Sequence, residues 1–325
     1  MRPDPFFVAY TLADWRARFG AERRSVISVG NFDGLHIGHQ QILQAVVDCA
    51  RKQERLAAVI TFDPHPLKVL RPEAAPPLIT TLDQRLRGFD DTGLDAALVL
   101  TFDAALSLLP PEVFAQRVLV ETVRTGEILV GANFRFGHQH AGDVKLLKKI
   151  GAQDDFTVNV IAPVELNGSP VSSTRVRQAV QNGRIEEAAE LLGPPFALTG
   201  EIRPGAGRGA TLVFPTLNLA PEQELLPAPG VYATASLLAE KLYRSVTNVG
   251  FRPTFDGSGL TIESHLLGFS EQVKSGRLEV RFYKRLREER KFDGPAELRE
   301  QIGRDIATAT SFFEQTGWQT PSSSD

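Results

Sequence analysis

The chain has 325 residues, enough for two domains, and is 42% hydrophobic, 8% aromatic and 23% charged, an ordinary globular composition. Its net charge is −3 with no long basic run, which argues against a nucleic-acid partner, and its single cysteine excludes an internal disulfide or a cysteine-built zinc site. No segment reads as a signal peptide or a membrane span, so the expectation is a cytoplasmic protein without membrane contact.

In chain order, strand-rich runs are predicted at 26–29, 57–62, 96–101, 127–131 and 156–161. Helical stretches lie between them. The first, 39–52, carries Ile42, Val46, Cys49 and Ala50 at helical spacing, which puts Cys49 in the core. The stretch 110–119 opens on prolines and an acid, and 143–150 aligns Val144, Leu147 and Ile150 on one stripe. A further helix is capped within Ser172-Ser173-Thr174 and stopped at Asn182-Gly183. A short one, 185–192, ends at Gly193-Pro194-Pro195. Strand–helix alternation implies an α/β domain with a parallel sheet covered on both faces. The second half reads as short strands at 197–202, 211–219, 230–238, 243–249, 261–267 and 278–286, then a helix at 295–315. That pattern predicts a compact antiparallel β-barrel closed by a C-terminal helix. The expected domains are 1–193 and 194–319, with a disordered tail at 320–325.

The first site is written in Ser25-Val26-Ile27-Ser28-Val29-Gly30-Asn31-Phe32-Asp33-Gly34-Leu35-His36-Ile37-Gly38-His39. A strand runs into a glycine-broken turn, and two histidines three residues apart stand at the mouth of a helix. Free N–H groups at a helix start bind anions, and two imidazoles beside them make a phosphate site. No Gly-x-x-x-x-Gly-Lys run exists, so this is not a P-loop, and the glycine spacing is wrong for a dinucleotide fingerprint.

The pattern Gly-x-Phe-Asp-Gly-x-His-x-Gly-His, using Gly30, Phe32, Asp33, Gly34, His36, Gly38 and His39, resembles the nucleotidyltransferase signature in its FMN adenylyltransferase form. Three further patches match that module: Phe62-Asp63-Pro64-His65-Pro66, the 131–137 run with Asn133, and Val171-Ser172-Ser173-Thr174-Arg175-Val176-Arg177. The resemblance implies that His36 and His39 contact ATP phosphates, that Ser172, Ser173, Thr174 and Arg177 hold the terminal phosphates, and that Asn133 positions a substrate polar group. Arg175 and Arg177 sit two apart, so one of them faces the site, and Arg177 is favoured. His65 either stiffens its proline-flanked loop or takes part in function. His138 and His140 read as surface residues, since no third metal ligand accompanies them.

The second half has a glycine-rich run, 205–210, ahead of Val213-Phe214-Pro215-Thr216-Leu217-Asn218. A proline inside a strand-like run is no helix start, so the run is not a dinucleotide loop. It resembles the riboflavin kinase motif Gly-Phe-Pro-Thr-Ala-Asn, with Val213 and Leu217 replacing its glycine and alanine. Gly230-Val231-Tyr232, the 248–255 run, Glu263-Ser264-His265 and Phe282-Tyr283-Lys284-Arg285-Leu286-Arg287 also match, while Gly268 stands where the family carries aspartate. By this resemblance Gly205, Gly207, Arg208, Pro215, Asn248, Arg252 and His265 bind ATP or flavin. Thr216 and Asn218 hold Mg²⁺ with the phosphates, and Glu263 is the proton acceptor. On a strand, Thr261, Glu263 and His265 share one face while Ile262 and Leu266 face the core. The loops around 205–210 and 256–259 are expected to move on binding.

Over about 25–309 the chain is therefore similar to the bifunctional riboflavin kinase/FMN adenylyltransferases, the bacterial FAD synthetases. The implied reactions make FMN from riboflavin and ATP, then FAD and pyrophosphate from FMN and a second ATP. ATP, riboflavin and FMN are substrates, and the expected assembly is a monomer or weak homo-oligomer. Two other readings share the motifs: a non-catalytic flavin or nucleotide sensor, and a nucleotidyltransferase with a degenerate kinase module. His36, His39 and Glu263 weigh against the first, and Thr216, Asn218 and Glu263 together against the second.

Overall fold

The computed structural model describes residues 4–20, 22–204, 214–254, 257–271 and 273–318; for 251–254 and 257–259 it describes the backbone alone. Gly205, Gly207, Arg208, Val213 and the 320–325 tail lie outside the described residues. Contacts divide the chain into two compact units, Met1–Pro76 with Thr80–Ser173, and Pro77–Ile79 with Thr174–Asp325.

The first unit runs β1 (Phe7–Ala9), α1 (Leu12–Phe19), β2 (Ser25–Val29), α2 (Ile37–Lys52), β3 (Leu56–Asp63), α3 (Pro66–Leu70), α4 (Leu82–Asp91), β4 (Ala96–Thr101), α5 (Ala104–Ser107) and α6 (Pro111–Phe114). After α6 the helical stretch expected over 110–119 widens into a π segment, Ala115–Val120, with i→i+5 bonds such as Glu121 N–H to the Gln116 carbonyl. Then follow β5 (Thr125–Gly131), the short pair β6 (Arg135–Phe136) and β7 (Gly142–Asp143), α7 (Val144–Gln153), β8 (Thr157–Ile161) and a second short pair, β9 (Glu165–Leu166) and β10 (Ser169–Pro170). Six strands form one parallel sheet in the order β1-β4-β3-β2-β5-β8. The central strands are buried on both faces. Ile27, Ala58 and Leu98 pack with α7 residues Leu147 and Ile150, while Val26, Ala57 and Ala97 pack under α2 and α4.

The buried stripe of α2 is Leu43, Val46, Val47 and Ala50; Val46 and Ala50 lie in it as expected, while Ile42 and Cys49 stand at its edge. Cys49 is accordingly half-buried, not core. Its Sγ accepts from Gln53 Nε2 at 2.9 Å. Burial first, and Glu127 second, push its thiol up to about 11, so it is not a reactive thiolate at neutral pH.

The second unit opens with α8 (Ser173–Gln181) and α9 (Ile185–Leu192), the latter packed with the barrel strands, followed by β11 (Phe196–Arg203), β12 (Leu217–Pro221), β13 (Gly230–Leu238), β14 (Lys241–Thr254), β15 (Gly257–Leu266), β16 (Arg277–Arg287) and α10 (Pro295–Gln315). The strands close into a six-stranded antiparallel barrel in the order β11-β12-β15-β14-β13-β16. Helix α10 covers the outward face of β13 and β14, where Ala309 and Phe313 meet Val231, Ala233 and Val246.

Two sequence readings change here. Residues 211–213 of the strand expected over 211–219 lie outside the described residues; within the described part, Phe214–Thr216 are not strand and β12 begins at Leu217, since Pro215 has no N–H for a ladder. The loop expected at 256–259 is strand from Gly257 onward, with Gly259 opposite Arg252. The barrel interior also holds a polar layer. Thr234, Ser236, Ser245, Thr247 and Ser264 are all 0% exposed. Their hydroxyls close a five-membered ring, 234–245–236–264–247–234, with O···O distances of 2.7–2.9 Å.

Candidate active sites

In the first unit the turn leaves β2 at its carboxyl end, where ligands bind in a parallel sheet. His36 is the N-cap of α2, its Nδ1 accepting from the His39 N–H at 3.3 Å. That bond places the His36 ring proton on Nε2. The two imidazoles stack with centroids 3.6 Å apart and planes 15° from parallel. Gly38 permits this, because a Cβ there would sit 3.3 Å from the His36 ring. Burial, then the neighbouring His36, hold His39 well below the ordinary imidazole pKa, and its Nδ1 is buried without a hydrogen-bond partner. His39 is thus held largely uncharged, and the pair supplies oriented ring nitrogens at a helix start.

The turn itself is strained. Phe32 at φ 50° and Leu35 at φ 43° occupy the left-handed region, at about 1–2 kcal/mol each. Gly34, at φ 85°, takes that geometry without a Cβ. The buried Asp33 carboxylate, 3% exposed, accepts from Thr80 N and Oγ1, both at 3.1 Å, and its carbonyl accepts from Ser173 Oγ at 2.9 Å. Beside the turn, His65 caps α3, its Nδ1 accepting from Leu67 N–H, and its Nε2 lies 3.3 Å from the Asn31 side-chain amide.

In the second unit the ladder brings three sequence-distant residues into one row. Glu263 on β15 stands directly opposite Asn218 on β12 and Asn248 on β14. Such neighbours have Cβ atoms about 5 Å apart. Glu263, Thr261 and His265 are half-exposed, while Ile262, Ser264 and Leu266 are buried, as strand alternation requires. His265 Nδ1 lies 2.8 Å from the Pro215 carbonyl and its ring meets Phe214 edge-on. This ties the half-buried Thr216 segment to the same face.

Residues 19–175 match the family model described as FAD synthetase, and residues 192–313 match the one described as riboflavin kinase. The curated bifunctional riboflavin kinase/FMN adenylyltransferase of Escherichia coli (strain K12) is 36% identical over 90% of this chain and 93% of its own length. The chain belongs to the bifunctional riboflavin kinase/FMN adenylyltransferase family. The enzyme of the same description from Bacillus subtilis (strain 168) is 31% identical over 90% of this chain and 93% of its own. A crystal structure from Streptococcus pneumoniae described as a macrolide-efflux protein shares the fold, with a TM-score of 0.83, 27% identity, and 94% of this chain and 99% of that one covered. Among the described residues no helix is long and apolar enough to cross a membrane.

Within the adenylyltransferase module, the turn gathers Gly30, Phe32, Asp33, Gly34, His36, Gly38 and His39, and Ser173 is bonded to it. Asn133 is exposed in the turn after β5, closed by Phe134 N–H to the Gly131 carbonyl. Ser172 is half-buried. Thr174, Arg175 and Arg177 belong to the second unit, where Thr174 is exposed, Arg177 Nε donates to the Pro77 carbonyl at 2.8 Å and Arg175 pairs with Glu187 at 3.3 Å. His138 is spent on the Ser107 carbonyl at 2.9 Å, and the described residues contain no group of three or more His, Cys, Asp or Glu placed to hold a metal. In the kinase module Gly268, at φ 74°, occupies a turn that an L side chain would strain. Reading the sequence missed Thr80 and Arg85, which flank and occupy α4. The signal for that helix was present as the capping box Thr81–Gln84, with both reciprocal bonds made.

Proposed function

We propose that the two reactions of this family run on separate groups of this chain, divided by the acidity of their nucleophiles. In FMN adenylylation, an oxygen of the FMN phosphate forms a bond to the α-phosphorus of ATP and pyrophosphate leaves. That phosphate, with a second pKa of about 6, is already ionised, so the site needs alignment and charge stabilisation but no base. His36 and His39 at the start of α2 would provide them, with the Asp33 carboxylate taken up by Thr80. Ser172 and Ser173 would hold the terminal phosphates, and Asn133 a substrate polar group.

In riboflavin phosphorylation the nucleophile is a neutral alcohol, so a proton must leave as the oxygen attacks the γ-phosphorus and ADP departs. Glu263 would accept it, held between Asn218 and Asn248. The row Asn218–Glu263–Asn248 is the observation that carries this reading. The Thr216 hydroxyl and Asn218 amide oxygen are hard donors that suit Mg²⁺, which keeps one or two protein ligands and takes the rest from phosphates and water. When bound, that ion would neutralise phosphate charge; positioning and proton acceptance stay with the protein. We place the protein in the cytoplasm as a monomer or weak homo-oligomer acting on small molecules.

The test is incubation of the purified protein with riboflavin, ATP and Mg²⁺ followed by chromatography. FMN and FAD should both accumulate. FMN without FAD overturns the first assignment, and no conversion overturns both.

A further inference from the structure

One helix face is matched to the phosphate turn residue by residue. Arg85 on α4 is 3% exposed, and its Nη1 donates to the Asn31 carbonyl at 2.9 Å. The same nitrogen lies 3.3 Å from Thr61 Oγ1 and the Phe62 carbonyl, and Nη2 lies 3.4 Å from Asp63 Oδ1, all at the end of β3. One turn further along, Phe89 meets the Phe32 ring edge-on with centroids 5.7 Å apart. Gly88 lets Leu35 lie against the helix, since a Cβ there would run into Leu35 Cδ1. Ahead of the helix, Thr80 binds the Asp33 carboxylate and accepts from the Gly34 N–H at 3.0 Å. Positions 31 to 35 are therefore each held from 80–89, and two of them are non-glycine residues in the left-handed region. Such strain persists only where the surroundings over-determine it.

We infer that Arg85 is a positioning residue for adenylyl transfer, its guanidinium tying the start of the strained turn to the end of β3 and so aiming His36 and His39. Arginine suits this because a planar fork reaches several acceptors at once, which a lysine ammonium does not. The inference rests on the assignment of His36 and His39 to adenylyl transfer.

The test uses the full chain with Arg85→Met, Arg85→Lys and, as a separate control, His36→Ala. FMN-to-FAD and riboflavin-to-FMN conversion are measured on each preparation, with KM and kcat resolved. Misalignment should lower kcat for FAD formation about a hundredfold in Arg85→Met, with KM changing far less and riboflavin phosphorylation intact. Arg85→Lys should fall between Met and wild type. Unchanged kcat in Arg85→Met overturns the inference. If Arg85→Met loses both activities, Arg85→Lys decides: reduced FAD formation with intact kinase activity supports it, and unreduced FAD formation overturns it. Wild-type FAD formation in His36→Ala overturns the underlying assignment instead.

Discussion

Opening the hydroxyl ring inside the barrel should expose its cooperativity. Five hydroxyls make five bonds, so every proton has an acceptor. Thr247→Val keeps shape but leaves a chain of four hydroxyls with three bonds and one proton that has no acceptor. Two lost bonds at about 1 kcal/mol each, plus an orphaned buried donor at about 1 kcal/mol, give a cost of about 3 kcal/mol. Thr234→Val removes an adjacent member at the same cost. The double variant keeps two bonds and still strands one proton, a loss of about 4 kcal/mol where additivity gives about 6. The coupling is therefore about 2 kcal/mol. Hydrogen exchange read by mass spectrometry on peptides of β13 and β14 measures the opening free energies, with β2 and β3 as internal control. Costs that add to within about 0.5 kcal/mol would refute the closed ring.

Two further outcomes follow from charge. His39 has its folded pKa held well below 6.5, so between the two values the unfolded chain binds the extra proton and stability rises with pH. The stabilisation is complete above pH 6.5 and is lost as pH falls toward the folded value. Exchange protection of the first turn of α2 should therefore weaken on acidification, and His39→Asn should flatten that dependence; stronger protection in acid contradicts it. Arg287 forks onto Asp305 through Nε at 3.0 Å and Nη2 at 2.8 Å, with Asp305 5% exposed. Asp305→Ala should cost the barrel about 3 kcal/mol in urea unfolding, and Arg287→Met with Asp305→Leu should restore most of it. Failure of the pair to recover stability would show that the charge is not what matters.

The alternation of period-2 and period-3.6 patterns made the two architectures legible, and strands 96–101 and 230–238 and helices 185–192 and 295–315 coincide with their observed bounds. Helices α1, α3 and α4 escaped because they are short and their starts are marked by the caps Thr11, His65 and Thr81, which an apolar period does not reveal. The motifs at 30–39 and 263 were legible because their chemistry is local. The supports were not: Arg85 reaches Asn31 across 54 positions, and Asn218 meets Glu263 through the β12–β15 pairing of strands far apart in the chain. A serine or threonine facing inward reads as a blemish in an apolar alternation until five of them meet.

A phosphate nucleophile needs no base, and an alcohol nucleophile does. Glu263→Gln keeps the shape of the row between Asn218 and Asn248 while removing the proton acceptor. With riboflavin and ATP it should form FMN at least about a hundredfold more slowly, and with FMN and ATP it should form FAD at the wild-type rate. Equal loss of both activities, or riboflavin phosphorylation at the wild-type rate, would contradict that division of the two sites.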